Sequence, residues 1–180
     1  MKGDAYLASE DSALLRSALR GCSGGSCLEI GAGNGGNLVE LSTRFGLVIG
    51  TDIARPSMSD WKTAGASYIL AEGAACLRPS VFELVAFNPP YLANKVRGDP
   101  AIEGGRNLEV PKSFLREALR VVKATGRIIF LLNDEANIEE FEQLCADSGF
   151  ALEPMAVQRL FFEELVVYSV ERRKASALRS

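Results

Sequence analysis

The chain has 180 residues, of which 47% are hydrophobic and 24% charged, the composition of an ordinary globular domain. A chain of that length buries roughly 70% of its unfolded surface without a disulfide or metal staple. Its 20 basic and 23 acidic residues give a net charge of −3, so overall charge does not hold it on nucleic acid. There is no histidine, which excludes Ser-His-Asp and Cys-His catalysis, zinc sites built on His and any imidazole base.

In chain order, Leu14, Leu15, Ala18 and Leu19 fall at helical spacing, predicting an amphipathic helix over 11–20. Gly21–Ser26 is a breaker segment, and Cys27–Ile30 is a short apolar strand running into glycines. Leu38, Leu41 and Phe45 predict a helix ended by Gly46, and Leu47–Ile53 is the second strand. Pro56 suits the first turn of a helix reaching Ala64. Ser67–Ala71 and Phe82–Phe87 are the third and fourth strands, the latter halted by Asn88-Pro89-Pro90. After a long loop, Leu92–Glu109, Pro111 opens a helix carrying Phe114, Leu115, Ala118, Leu119 and Val122 on one face.

Arg127–Leu132 is the fifth strand. Asn137 and Glu140 have the spacing of a capping box ahead of a helix with Ile138, Phe141, Leu144 and Cys145 on its buried face. Phe150–Val157 and Leu165–Val170 are two last strands with no helix between them. Alternating strands and helices imply an α/β fold, a parallel sheet covered on both faces, and the closing pair implies one antiparallel strand. One domain is expected over 1–171, followed by a basic, frayed tail over 172–180. Cys22, Cys27, Cys76 and Cys145 form no C-x-x-C pair and read as buried free thiols of a reducing compartment. No metal site is expected. Asp4, Glu10 and Asp11 interrupt any N-terminal apolar segment, and runs such as Ile128–Leu132 fall far short of the ~20 residues of a membrane helix, so a soluble, cytoplasmic protein is expected.

The chemistry concentrates at strand ends. Glu29-Ile30-Gly31-Ala32-Gly33-Asn34-Gly35-Gly36 lies between the first strand and a helix, where glycines allow a tight turn and close approach to a ligand. Gly31, Gly33 and Gly36 fit the dinucleotide pattern G-x-G-x-x-G; Gly31, Gly33 and Gly35 fit the G-x-G-x-G loop of methyltransferases. Asp52, at the end of the second strand, can bind both ribose hydroxyls of either cofactor. Glu29 separates the two cases in part: a carboxylate inside an apolar strand is costly unless it finds a donor or a cation, either in a structural ion pair or in the ammonium at the methionine end of S-adenosylmethionine.

Asn88-Pro89-Pro90-Tyr91 separates them further. The nitrogen of an amide or aromatic amine is a poor nucleophile, so a site that methylates it must hold both N–H protons and aim the nitrogen at the methyl group. The Asn88 side-chain oxygen and the Pro89 carbonyl can accept those two hydrogen bonds, Pro90 stiffens the turn, and Tyr91 can stack on the planar group. Oriented oxygens stabilise positive charge developing on nitrogen, and no histidine is required.

These motifs resemble class I S-adenosylmethionine-dependent methyltransferases acting on planar NH2 groups, which implies a doubly wound, Rossmann-like seven-stranded sheet, mostly parallel with an antiparallel last strand. Further segments resemble the HemK-like protein-(glutamine-N5) methyltransferases in their short archaeal and eukaryotic form: Tyr6–Leu15 (YLASEDSALL), Gly104-Gly105-Arg106-Asn107, and the closing Phe161–Val170 strand. The resemblance covers nearly the whole chain, whose length leaves no room for the extra N-terminal helical domain of the bacterial branch. It implies that Ser12 meets the cofactor's carboxylate end, Glu29 and Gly31 its methionine part and Asp52 its ribose. Gly33, Gly35, Ile53, Glu72, Gly73 and Asn88 complete the implied cofactor set. It implies as substrate the glutamine of a Gly-Gly-Gln motif in a class I release factor, and as partner a small zinc-binding activator at the third strand. The same tetrapeptide also serves adenine N6 and guanine N2 methylation of nucleic acid, the alternative reading, which the charge balance disfavours. A non-catalytic cofactor binder and an NAD oxidoreductase are the remaining classes. The sequence departs from the family at Ala8 for Pro, Ala54 for Asn, Leu108 for Gly, and Gly73 where an acidic residue usually meets the adenine amine, with Glu72 one place off.

Overall fold

The computed structural model describes residues 10–54, 65–90, 108–134, 136–161 and 163–173. The elements are α1 (Glu10–Leu19), β1 (Gly24–Ile30), α2 (Gly36–Leu41), β2 (Phe45–Asp52), β3 (Ser67–Leu70), β4 (Phe82–Phe87), α3 (Glu109–Val121), β5 (Val122–Asn133), α4 (Ile138–Asp147), β6 (Phe150–Arg159) and β7 (Glu164–Arg172). The helix expected over 56–64 lies outside the described residues, as do Tyr6, Ala8, Gly104–Asn107 and most of the loop after Pro90.

The seven strands form one sheet in the order β3-β2-β1-β4-β5-β7-β6. The first five in that order run parallel, and β7 is antiparallel to both β5 and β6. This is the expected mostly parallel sheet, with the antiparallel last strand inserted beside β5 rather than added at the rim. The order reverses at β1, whose neighbours are β2 and β4, and ligands bind at such a switch point, outside the carboxyl ends of the strands.

Side-chain alternation divides the core between the two faces. Leu28, Ile30, Val85, Phe87, Ile128, Phe130 and Leu132 pack against Leu115, Ala118 and Val121 of α3 and Phe141 and Cys145 of α4. Cys27, Leu84, Ala86, Ile129 and Leu131 pack against Leu15 and Leu19 of α1 and Leu38 and Leu41 of α2. Phe130 stacks on Phe87 with ring centroids 4.8 Å apart, tying β5 to β4 directly below the site.

Three local expectations are corrected. The helix expected to include Phe45 ends at Leu41, because the Ser42 and Thr43 hydroxyls donate back to the carbonyls of Val39 and Glu40. Phe45 and Gly46 instead begin β2, and Phe45 reaches the same core from the strand. Asn137 stands at the N-cap of α4 but makes no side-chain bond to the backbone; its Nδ2 donates to Glu140 Oε1 at 3.2 Å, while Glu140 Oε2 accepts from Lys112 at 2.7 Å. The four cysteines are free, but only Cys27 and Cys145 are buried; Cys22 is half-buried and Cys76 exposed, because the turn after β3 lies at the surface. Arg172 still belongs to β7, its guanidinium 5.5 Å above the Phe150 ring. Among the described residues no helix is long and apolar enough to cross a membrane, and no group of side chains could hold a metal ion.

Candidate active site

The glycine loop turns sharply out of β1. Gly31, Gly33 and Gly35 have φ of 70°, 53° and 79°, a region that costs other residues about 1–2 kcal/mol. A Cβ on Gly31 would also come within 3.2 Å of the Phe114 ring, which supports the loop from α3. Most of the loop's amides are already engaged. Gly31 and Ala32 N–H donate to the Thr51 carbonyl at 2.8 and 2.9 Å, and Gly35 N–H to the Ala32 carbonyl at 2.8 Å. Gly33 N–H donates to Asp52 Oδ2 at 2.8 Å and Gly36 N–H to Asn34 Oδ1 at 3.2 Å. With those donors spent and the buried Glu29 alongside, the loop is less suited to a pyrophosphate, which needs free N–H groups and no competing anion. That disfavours the dinucleotide reading.

Asp52 is held from both sides: Oδ1 accepts the Ala54 N–H at 2.9 Å, opposite the Gly33 bond to Oδ2. Each carboxylate oxygen keeps a further acceptor position, which is what a ribose diol requires. Ile53 follows with 65% of its surface exposed, an apolar surface at the same edge. The single O–H of Tyr68 on β3 is shared between the carbonyls of Gly33 at 3.2 Å and Ala54 at 3.3 Å, so the third strand braces both loops.

Glu29 is 3% exposed. Its Oε1 accepts from Asn37 Nδ2 at 2.6 Å, and Arg16 Nε donates to Asn37 Oδ1 at 3.2 Å, a relay that carries positive charge towards the carboxyl. Its Oε2 is buried with no hydrogen-bond partner among the described residues. Burial pushes its pKa up to about 8; the Asn37 bond and the Arg16 charge oppose that rise, and Asp52 adds to it. A buried, half-satisfied carboxyl is costly by itself and suits an ammonium, the group at the methionine end of S-adenosylmethionine. The residues present therefore fit that cofactor: an orphaned buried acid, a glycine turn, and a carboxylate with acceptor capacity at the next strand.

At the neighbouring strand, Asn88 Nδ2 donates to Asp11 Oδ2 of α1 at 3.0 Å. That bond fixes the amide with its nitrogen towards α1, and Asn88 Oδ1 is left buried without a partner among the described residues. Asp11, itself 6% exposed, also accepts the Ser12 N–H at 2.6 Å. Pro89 is buried and Pro90 half-buried; Tyr91 lies outside the described residues. Glu72 is exposed, Gly73 is buried with φ 56°, and Ser12 lies in the first turn of α1.

The structure thus brings Glu29, Asp52, the glycine loop, Ser12 and Asn88 to one edge of the sheet. Sequence reasoning missed Asp11, Asn37 and Arg16, although Asp11 belongs to the N-terminal segment that carried the resemblance. It also missed Asn133, which ends β5 at 4% exposed with Oδ1 buried and unpartnered among the described residues.

No protein-family model and no curated protein sequence matches the chain. Solved structures do. An Mtq2–Trm112 complex from E. cuniculi, responsible for methylation of the eRF1 translation termination factor, superimposes with a TM-score of 0.77 at 24% identity, over 94% of this chain and 99% of that one. The chain has a methyltransferase fold. A T. thermophilus 16S rRNA N2 G1207 methyltransferase, solved with AdoMet and guanosine, gives 0.70 at 21% identity over 95% of this chain and 45% of that one. A ribosomal protein L11 methylase from Lactobacillus delbrueckii subsp. bulgaricus gives 0.65 at 15% identity over 91% and 79%. Their likeness to this chain is one of fold, and a fold alone does not fix an activity.

Proposed function

We propose that this protein is an S-adenosylmethionine-dependent N-methyltransferase that acts on the side-chain amide nitrogen of a glutamine, in the Gly-Gly-Gln motif of a class I peptide chain release factor. The observation that carries the proposal is the Asn88 amide, turned by Asp11 so that an oxygen buried and unpartnered among the described residues stands on the strand next to the one that ends in the glycine loop. Such an oxygen calls for an N–H donor, and a planar NH2 group supplies one. Bound S-adenosylmethionine would supply an electrophilic methyl group. Glu29 would hold its ammonium, Ser12 its carboxylate end, Asp52 its ribose, and Gly31, Gly33, Gly35 and Ile53 would line it.

The residues of this chain then act by alignment. Asn88 Oδ1 and the Pro89 carbonyl accept the two N–H bonds of the substrate nitrogen, Pro90 keeps the second acceptor in place, and Tyr91 covers the planar group. As nitrogen gains positive charge, these oxygens stabilise it. The nitrogen sheds its extra proton once bonded to carbon, so no base is required.

The E. cuniculi neighbour supports a protein substrate and an activator subunit, since it is a complex with Trm112 that acts on eRF1. The proposed activator, a small zinc-binding protein, would pair with β3, an edge strand of the sheet with Leu70 55% exposed. We place the protein in the cytoplasm on the same grounds. The T. thermophilus neighbour favours a second reading, transfer to an amino group of a nucleobase. The net charge of −3 speaks against it, because phosphate contacts supply much of the affinity for nucleic acid. The test is transfer of labelled methyl to a release factor carrying Gly-Gly-Gln, with and without the activator. Label on the factor supports the proposal. No label on it while the cofactor still binds, or label on ribosomal RNA alone, rejects the glutamine.

A further inference from the structure

We infer that Glu117, a side chain of α3, is the residue that recognises the adenine amino group of the cofactor. The inference rests on the cofactor reading above. The order of strands places the base. With the methionine end at Glu29 of β1 and the ribose at Asp52 of β2, the base falls at the end of the next strand outwards, β3, over residues 71–74. There Ala71 N–H donates to the Asp52 carbonyl at 2.9 Å, which locks the start of that segment to the ribose site.

An adenine amino group donates hydrogen bonds and needs an acceptor. Gly73 offers no side chain, and Glu72 beside it is exposed. The space a side chain at 73 would fill is already filled. A Cβ on Gly73 would lie 2.6 Å from Glu117 Oε2, 2.8 Å from its Cδ and 2.9 Å from Oε1. An acid at 73 and Glu117 in this position therefore exclude each other, and the carboxylate at that spot comes from α3. It is held in place: the Ala74 N–H donates to Glu117 Oε2. One turn later, Arg120 donates to the carbonyls of Ala74 at 2.6 Å and Leu77 at 2.7 Å, which fixes the turn itself. Phe114, one turn earlier, lies against Gly31, so one face of α3 supports the glycine loop and the base-binding segment together. Glu117 Oε1 has no hydrogen-bond partner among the described residues and is available to the ligand.

Calorimetric titration with two probes separates recognition from mere support of the turn: S-adenosylhomocysteine, whose base presents an amino donor, and S-inosylhomocysteine, whose base presents a carbonyl acceptor at the same place. The wild-type chain is expected to prefer the adenosyl compound by about tenfold to a hundredfold, the size of one hydrogen bond to a charged group. In Glu117→Gln the Ala74 N–H retains the side-chain oxygen and the new NH2 takes the other position, so the preference disappears or inverts. Glu117→Ala combined with Gly73→Asp returns a carboxylate to the same space, since Asp tolerates a positive φ, and should restore the adenosyl preference. That double variant decides the matter should Glu117→Gln fail to fold. A Glu117→Gln protein that loses affinity for both compounds equally, with the ratio intact, overturns the inference and leaves Glu117 a support for the turn. A wild type that binds both compounds equally also overturns it while sparing the cofactor reading, whereas a wild type that binds neither overturns both.

Discussion

The two halves of the site differ in what they leave unsatisfied. Around β1 and β2 most glycine-loop amides bond within the protein, to Thr51, Asp52, Ala32 and Asn34, and the orphaned side-chain atoms there, among the described residues, are the carboxyl oxygen Glu29 Oε2 and the Thr51 hydroxyl. Around β4 and β5 the orphans are two amide oxygens, Asn88 Oδ1 and Asn133 Oδ1. Glu29 pairs with Gly50 and Ala86, and Ala86 pairs with Ile129, so the three residues descend from one face of adjacent strands, each one pleat further along. A lone carboxyl oxygen calls for a cation, and neutral amide oxygens call for N–H donors. On the proposed function, the side with the charged orphan is the cofactor half and the side with the amide orphans the substrate half.

Removing the acceptor on the substrate side should have the largest effect. Asn88→Ala should lower turnover by about 100- to 1,000-fold, the size seen when one oriented transition-state partner is lost, while its melting temperature stays close to wild type. Normal turnover in that variant would break the distinction between the halves. Asp11→Ala frees the amide to turn and should cost about 10- to 100-fold in turnover, and Asp11→Asn, which keeps an acceptor for Asn88 Nδ2, should recover part of it. A purely structural role for Asp11 would show as a stability loss with turnover per folded molecule unchanged.

On the cofactor side, the raised pKa of Glu29 sets the sign of a pH effect. In the free protein this carboxyl holds its proton up to about pH 8. Its contribution to stability is present in full below the unfolded value near 4.5 and is lost as pH rises through about 8. Binding an ammonium requires the carboxylate, so at pH 6.5 cofactor binding should release about one proton and tighten as pH rises towards 8. Calorimetry in buffers of different ionisation enthalpy reads that proton; Glu29→Gln should abolish its release and weaken binding roughly tenfold or more. The smallest effect is expected at the loop itself. Gly31→Ala meets both a φ of 70° and the Phe114 ring at 3.2 Å, and should cost about 1–2 kcal/mol in denaturant unfolding.

The order of elements was legible because hydrophobic spacing distinguishes strands from helices, and strand-end residues such as Glu29, Asp52 and Asn88 announce themselves by being polar where the pattern is apolar. Phe45 is ambiguous in sequence because its spacing from Leu41 fits a helix as well as it fits the buried start of a strand. Partners were not legible. Asp11 meets Asn88 across 77 positions and Glu117 meets Ala74 across 43, and nothing in residue type shows which helix face the sheet register will set against which loop. The side chains that orient the site therefore emerged from the fold, while those that carry its chemistry stood out in the sequence.

The most direct test of the central claim is mass spectrometry of the methylated product, after incubation of the protein, its activator, S-adenosylmethionine, a release factor and ribosomal RNA together. The expected result is one added methyl on the glutamine side chain of a Gly-Gly-Gln peptide, absent with Asn88→Ala. Methyl found on an adenine or guanine amino group, with the glutamine unmodified, would contradict it.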